Sequence, residues 1–166
     1  NRNITTRFPN FQFKHVPIAN DLYRLHGAQA RSFRFPYQDN MFDLAFHFSV
    51  FTHMPPEEVQ QYLREIHRVL KAGGRYLGTF FTYTAATEEQ LASMHPSFSF
   101  PIKHDGYRLM DARVVSANVA YSEEKLRGMV ALAGLNWESL HEGYWKDQAH
   151  KLVKHDFQDI VVLSKS

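Results

Sequence analysis

The 166-residue sequence contains no cysteine. This absence excludes disulfide bridges, thiolate metal ligands and a cysteine nucleophile, and it favours a reducing compartment, so we expect a cytoplasmic protein. No apolar run approaches the ~18–20 residues that a membrane-spanning helix requires, so we expect no membrane partner. No signal peptide is recognisable at the start, and because the first residue is Asn1 rather than methionine we expect a preceding part to be missing.

The sequence also lacks an excess of charge of one sign. Lysine and arginine total 19 and acidic residues total 17, a net charge of +2 without a basic block. Proteins that bind nucleic acid usually carry a basic patch or stripe, so no nucleic acid partner is expected. Ten histidines are present, but no H-E-x-x-H motif accompanies them, and we expect no metal site.

The order of apolar runs and helical patterns predicts an α/β fold within one domain. Strands are predicted at residues 11–18, 41–51 and 75–81. The second of these is nearly continuous in apolar character, which is typical of a strand covered on both faces. An amphipathic helix is predicted to begin at Pro55-Pro56 and to end at a left-handed cap at Gly73-Gly74.

The second half of the chain is less regular. Residues 82–120 lack clear periodicity and are too long for a simple connection, so we expect a cap or a substrate loop. Ser122 is the predicted N-cap of a helix that ends near Gly134. Residues 136–145 and 156–165 are predicted to form an antiparallel pair of strands.

Polar residues gather in "SVFTH", residues 49–53, where the apolar strand stops and the helix begins. Open α/β sheets bind ligands outside the carboxyl ends of their strands, so this segment is a candidate binding site. His53 is a candidate general base because its imidazole titrates near neutral pH, but it could equally cap the loop through a backbone hydrogen bond. Glu57 and Glu58 are most simply charges that favour a helix start.

A family resemblance rests on the segment "FPYQDNMFDLAFHFSVFTHMPPEEVQQYLREIHRVLKAGGRYLGTFF". This segment resembles the middle of a class I S-adenosylmethionine-dependent methyltransferase. The details that match are the Phe42-Asp43 pair opening a strand, "SVFTH" after it, the helix "YLREIHRVLKAGG" and the glycine pair before the next strand. Residues 7–27 resemble the family's third-strand region, and residues 157–165 resemble its last strand.

The resemblance implies a Rossmann-like class I methyltransferase sheet, mostly parallel with an antiparallel C-terminal strand. It further implies that the N-terminal βαβ part is missing, because the family's glycine-rich loop and its second strand have no counterpart here. We therefore expect residues 1–166 to be a single partial methyltransferase domain, with residues 82–120 as its insert.

The resemblance also implies S-adenosylmethionine as the cofactor and assigns a role to individual residues. His53 is the catalytic candidate, near the methyl acceptor. The residues expected to contact the cofactor are Val16, Pro17, Ile18, Arg31, Ser32, Ser49, Val50 and Phe51. Four residues in or beside the insert are candidates for contact with the substrate: Tyr83, His104, Tyr107 and Tyr121.

Two functions remain open at this point. The first is methyl transfer to a small-molecule oxygen, nitrogen or carbon, by a chain that is part of a longer enzyme. The second is a non-catalytic or truncated half-domain that self-associates or binds a partner and does not bind cofactor alone. A sheet without its first strands has an unpaired edge along "FDLAFHF" and a bare apolar face, and we expect a homodimer through that edge.

Overall fold

The computed structural model describes residues 2–23, 26–95, 98–147, 151–153 and 156–166. Its helices are α1 (Arg2–Arg7), α2 (Pro56–Val69) and α3 (Glu123–Leu132). Its strands are β1 (Phe42–His47), β2 (Leu70–Tyr83), β3 (Ile102–His104), β4 (Tyr107–Leu109), β5 (Val119–Ser122), β6 (Leu135–His141) and β7 (Asp159–Lys165). Short 3-10 turns cover Ala30–Ser32, Phe51–His53 and Glu89–Ala92.

The sheet is centred on β2. Strands β1 and β5 pair in parallel with successive parts of β2, and β7 pairs with its other edge in the antiparallel direction. Beyond β7 lies β6, and beyond β5 lies the β3–β4 hairpin. The core packs α2 and α3 against this sheet. Strands β1 and β5 lie one after the other along the same edge of β2, with β5 beyond the carboxyl end of β1. The insert, which leads into β5, therefore lies at the carboxyl end of β1.

The predicted α/β class and the antiparallel C-terminal strand are confirmed. The prediction of a mostly parallel sheet is wrong for the described residues, in which two strand pairings are parallel and four are antiparallel. The other antiparallel pairings are those of β3 with β4, β4 with β5 and β6 with β7. For β3 and β4 the two-residue connection favours this direction, since parallel neighbours need a long crossover.

The predicted strand at residues 11–18 is also wrong. Its only ladder contact among the described residues is an isolated bridge between Ile18 and Ala28. Phe11 and Phe13 are about half exposed, at 52% and 47%. A strand is stable only when a neighbour pairs with its backbone, and within the described part of the chain no second strand lies beside this segment.

Helix α2 forms where it was predicted, with Pro56 in its first turn and Val59, Leu63 and Ile66 on its buried face. Its predicted glycine cap is wrong, because the helix ends at Val69 and the chain passes directly into β2. The Lys165 side chain of β7 stabilises this end by donating hydrogen bonds to the carbonyl oxygens of His67 and Leu70. A cation at a helix carboxyl terminus also interacts favourably with the helix dipole.

The prediction for helix α3 is confirmed at both ends. The Ser122 side chain accepts a hydrogen bond from the Lys125 amide at 3.1 Å, as an N-cap does. Gly134 follows the helix with a φ of 79°, a conformation that favours glycine. The predicted antiparallel pair formed by β6 and β7 is confirmed as well.

Strand β1 has one bare apolar face. Leu44, Phe46 and Phe48 are 57%, 64% and 60% exposed. The expectation of a strand covered on both faces is therefore wrong for the part of the chain that the structure describes. Within that part β1 also pairs with β2 alone, so its other edge is open.

The buried carboxylate of Asp159 ties the loop before β7 to the end of β2. It accepts hydrogen bonds from the Thr82 amide and hydroxyl, the Trp145 indole and the Gly143 amide, at 2.7–2.8 Å. Trp145 then packs in a second apolar cluster that includes Phe81 and, from the insert, Phe100. This cluster anchors the insert on the sheet. Among the described helices, none has the length and apolar character of a membrane crossing.

Candidate active site

The candidate site begins at the turn that follows β1. Ser49 has a φ of 54°, in the left-handed region that few residues other than glycine adopt. Its amide donates a hydrogen bond to the Thr79 hydroxyl of β2 at 2.8 Å, which stabilises this conformation. Non-glycine residues in this conformation often lie at functional sites. The turn leaves Ser49 and Val50 exposed where β1 ends.

His53 is held by a backbone contact with the insert. Its Nδ1 lies 2.8 Å from the Ser116 carbonyl oxygen. Because a carbonyl oxygen can only accept, Nδ1 carries the hydrogen, and in the neutral ring Nε2 carries the lone pair. The backbone hydrogen bond considered in the sequence analysis is therefore present. It leaves Nε2 able to accept a proton.

The insert is fixed beside His53 by a residue that the sequence analysis missed. The Asp21 carboxylate accepts hydrogen bonds from the amides of Val115 and Ser116, at 2.8 and 3.0 Å. One peptide segment of the insert is thus held by Asp21 at its amides and by His53 at a carbonyl. No local pattern identifies this pairing, because the residues are more than ninety positions apart.

A cavity of about 260 Å³ opens beside His53. Its wall unites the expected cofactor contacts Ile18, Ser49 and Val50 with His53. Tyr23, Glu58 and Tyr62 also line it, and the sequence analysis gave none of these three a role in binding. A second cavity of about 240 Å³ shares Asn20 and Glu58 with the first and reaches Val115 and Ser116 of the insert.

Glu58 has an unusual environment for a residue in the first turn of a helix. Burial, together with the charges of Glu57 and Asp21, raises the pKa of its carboxyl to about 7, although Arg31 acts in the opposite direction. Burial and the Glu58 charge raise the pKa of Tyr62 to about 12. A binding role for Glu58 could not be predicted from the sequence, because glutamates at a helix start are usually exposed. Glu58 is enclosed by the packing of residues 18–20 and 30, which are distant in the sequence.

Other expected cofactor residues lie outside this cavity. Val16, Pro17, Arg31 and Ser32 are exposed and do not line it. Phe51 is fully buried, and its ring packs on that of His47 with a centroid distance of 4.0 Å. The Phe51 side chain therefore belongs to the core.

The four substrate candidates do not meet at His53. Tyr83 and His104 line a separate cavity of about 630 Å³ at the carboxyl end of β2. Tyr107 is half-buried and stacks on His104 with a centroid distance of 4.6 Å. Tyr121 is fully buried, and its hydroxyl donates a hydrogen bond to the Met54 carbonyl oxygen. Tyr121 thus links β5, which follows the insert, to Met54 at the end of the turn that contains His53.

The cavity beside His53 fits part of a cofactor. Complete small-molecule sites typically enclose ~300–1,000 Å³ and combine apolar walls with a few polar groups. Here Ile18 and Val50 supply apolar surface, while Asn20 and Ser49 supply hydrogen-bonding groups, within about 260 Å³. Gly27 allows its loop to approach residues 17–19, since a Cβ there would lie 2.4 Å from the Pro17 carbonyl oxygen. Within the described residues no group of three or more potential metal ligands occurs.

Comparisons with known proteins agree with this reading of the fold. A family model described as a methyltransferase domain matches residues 10–78. Three solved structures are similar. One is an S-adenosylmethionine-dependent methyltransferase from Methanosarcina mazei, with 18% identity and a TM-score of 0.53, and another is a Pyrococcus horikoshii protein, with 16% identity and a TM-score of 0.60. The third is a 1,6-didemethyltoxoflavin-N1-methyltransferase from Burkholderia thailandensis, bound to 1,6-didemethyltoxoflavin and S-adenosylhomocysteine, with 15% identity and a TM-score of 0.51.

These matches cover 86%, 99% and 86% of the chain, but only 66%, 64% and 51% of the respective structures. The chain therefore spans between half and two thirds of the length of these structures. The resemblance to class I S-adenosylmethionine-dependent methyltransferases is confirmed by the family model over residues 10–78, and most of the chain shares its fold with the three solved structures. The expected cofactor, S-adenosylmethionine, agrees with the cofactor dependence of the Methanosarcina mazei protein and with the S-adenosylhomocysteine in the Burkholderia thailandensis structure.

Proposed function

We propose that this chain is part of an enzyme that transfers a methyl group from S-adenosylmethionine to a small-molecule acceptor. The observation that carries the proposal is the cavity at the end of β1, in which Ile18, Ser49 and Val50 meet His53. Ligands of open α/β sheets bind at such strand ends. The match of a methyltransferase family model to residues 10–78 supports the same conclusion.

The chain's own residues would orient the acceptor and receive its proton. When bound, S-adenosylmethionine would supply a methyl group on a positively charged sulfur, so that an acceptor lone pair could bond to the methyl carbon while the carbon–sulfur bond breaks and S-adenosylhomocysteine leaves. His53 Nε2 can accept a proton from the acceptor, because the Ser116 carbonyl holds the hydrogen on Nδ1. The cavity walls contribute alignment, and in-line proximity supplies much of the rate enhancement in reactions of this kind.

The proposal includes an N-terminal part of the domain that completes the cofactor site. The bare face of β1 and its open edge support this part of the proposal, since strands of α/β sheets are normally covered on both faces. The greater length of the matched structures is consistent with it. A cytoplasmic location, suggested by the absence of cysteine, belongs to the same proposal.

We assign residues 82–120 the role of a cap over the acceptor within a single partial domain of residues 1–166. Two contacts support this role: Asp21 holds the insert at Val115 and Ser116, and His53 donates a hydrogen bond to the Ser116 carbonyl oxygen. The insert therefore borders the side of the site on which the catalytic candidate lies.

A second candidate function is a half-domain that self-associates without binding cofactor. The exposed apolar side chains of Leu44, Phe46 and Phe48 favour it, because a continuous apolar face on a sheet is usually covered by another surface. In this case a homodimer would form through β1, and the cavity beside His53 would have no ligand.

Calorimetric titration of S-adenosylhomocysteine separates the two functions. We expect a detectable affinity, weakened at least ~10-fold by Val50→Lys, because a charged side chain in the cavity opposes burial of an apolar ligand group. Val153→Lys, at a position 75% exposed and outside the cavity, serves as the matched control. If titration of the wild-type chain gave no heat of binding and the chain formed a stable dimer, the result would instead favour a half-domain that self-associates without binding cofactor.

A further inference from the structure

We propose that the cavity beside His53 binds an amine acceptor in its ammonium form, with Glu58 as the counter-ion and Tyr23 and Tyr62 as aromatic walls. The bound ammonium group gives one proton to His53 Nε2, and the nitrogen lone pair that this exposes is the nucleophile for methyl transfer. This inference rests on the proposed function and narrows its acceptor to one chemical class. The residues that form this amine site all line the same cavity of about 260 Å³.

The Glu58 carboxylate is available to bind a ligand. Glu58 is half-buried, yet its carboxylate forms no hydrogen bond or ion pair with any residue in the described ranges. Other enclosed carboxylates in this chain are satisfied: Glu65 pairs with Arg68 at 2.6 Å, and Asp159 accepts four hydrogen bonds. A half-buried acidic group without a partner gains most from a ligand that brings a positive charge.

The charges around the cavity are mainly negative. Glu57, on the same helix as Glu58, and Asp21, on the loop packed against it, both place negative charge near Glu58. Arg31 is the nearby positive charge that acts on Glu58, and its residue is exposed. The other titratable groups that line the cavity are the His53 imidazole and the phenols of Tyr23 and Tyr62. The local field is therefore negative and attracts a cation.

Aromatic rings form part of the cavity wall. The Tyr62 ring is positioned by an edge-to-face contact with Phe35 at 5.0 Å, and Tyr23 makes a similar contact with His53 at 5.7 Å. Ammonium groups bind favourably over the faces of such rings, most strongly when they are removed from water. Tyr62 also follows Glu58 by one helical turn, so the two side chains lie on the same face of α2.

The position of Glu58 places the ammonium group on the acceptor side. The second cavity shares Glu58 but reaches Val115 and Ser116 of the insert rather than Ser49 and Val50. Glu58 therefore lies between the proposed cofactor contacts and the insert. The amino-acid end of the cofactor also carries an ammonium group, and the experiment must separate these two sources.

The test uses 2-phenylethylamine as the probe and 2-phenylethanol as its uncharged counterpart, in the presence and absence of S-adenosylhomocysteine. We expect the amine to bind more tightly than the alcohol. Its affinity should rise about tenfold between pH 6 and pH 8, because a carboxyl with a pKa of about 7 changes from about 10% to about 90% ionised over this range. Glu58→Gln should remove this rise and weaken binding at pH 8 at least ~10-fold.

Glu57→Gln is the matched control, because it removes a neighbouring charge from the same helical turn and leaves the Glu58 carboxylate. It should retain tight amine binding, with the pH midpoint moved downward. Equal affinities for the amine and the alcohol, or an unchanged affinity in Glu58→Gln, would overturn the inference. Competition between the amine and S-adenosylhomocysteine, with both weakened equally by Glu58→Gln, would assign the carboxylate to the cofactor and overturn it too.

These outcomes are distinct from failure of the proposed function. That function is tested by the effect of Val50→Lys on S-adenosylhomocysteine, which does not depend on Glu58. Cofactor binding that is sensitive to Val50→Lys, together with no preference for the amine, would retain the methyltransferase proposal and reject the amine acceptor.

Discussion

At the scale of single residues, His47 shows how burial controls protonation in this fold. Its Nε2 lies 2.5 Å from the Tyr76 hydroxyl, while its Nδ1 is buried without a partner among the described residues. Burial lowers the pKa of His47 to about 4. In the unfolded chain its pKa lies near 6.5. Between these values the unfolded state binds more protons, so the free energy of unfolding falls as the pH is lowered.

Replacing His47 by leucine should reduce this acid sensitivity. Between pH 8 and pH 5 the wild type should lose about 2 kcal/mol more of its free energy of unfolding than His47→Leu, because only the wild type must keep a buried imidazole neutral. Urea unfolding at the two pH values measures the difference. His15→Leu, which alters an exposed histidine, is the control. Identical pH dependence in wild type and His47→Leu would contradict the assignment.

At the scale of elements, the buried carboxylate of Asp159 connects β2, β7 and the loop that carries Trp145. Asp159→Asn replaces one carboxylate oxygen, a hydrogen-bond acceptor, by an NH2 group. This NH2 group can only donate, although the groups of Thr82, Gly143 and Trp145 around it are also donors. We expect a loss of about 3 kcal/mol in the free energy of unfolding, as when one partner of a buried charged network is removed. Trp145 fluorescence should also change, since its indole loses a charged hydrogen-bond acceptor.

Denaturant unfolding followed by tryptophan fluorescence measures both effects. The matched control is Asp156→Asn, which makes the same chemical change at an exposed position of the same loop. An Asp159→Asn variant as stable as this control would show that the network contributes little to anchoring the insert.

Elements defined by local signals were predictable from the sequence. Helices α2 and α3 have amphipathic faces and marked starts, at Pro56 and Ser122, and both formed as predicted. Residues 11–18 have a strand-like pattern but formed no strand, because strand formation depends on a neighbour that no local pattern supplies. The end of α2 was also missed, since Lys165, almost a hundred residues away, stabilises it.

The candidate site was predictable only in part, because some of its residues lie in a local pattern and others are brought together by distant segments. "SVFTH" stood out because it lies at the end of an apolar strand, and it does line the cavity through Ser49, Val50 and His53. Glu58 and Asp21 were missed because their importance depends on which distant segments enclose them. The position of Tyr121 beside the insert predicted a substrate contact. In the structure its hydroxyl is buried and donates a hydrogen bond to the Met54 carbonyl oxygen.

At the scale of the whole molecule, the bare face of β1 should control self-association. We expect the chain to form dimers that dissociate on dilution, and Phe46→Lys to weaken them, because it places a charge in the centre of an exposed apolar face. Leu132→Lys, at an exposed apolar position of α3 on a different element, is the control. Size-exclusion chromatography with light scattering gives the mass directly. A monomer at high concentration would contradict this expectation.

We infer that the end of β1 is one wall of a cofactor site. The most direct test is titration of the 15N-labelled chain with S-adenosylhomocysteine, observed by NMR, which detects binding even when affinity is weak. We expect saturable shifts concentrated at Ile18, Ser49, Val50 and His53. Shifts that are absent at millimolar ligand, or that cluster instead around Tyr83 and His104, would contradict it.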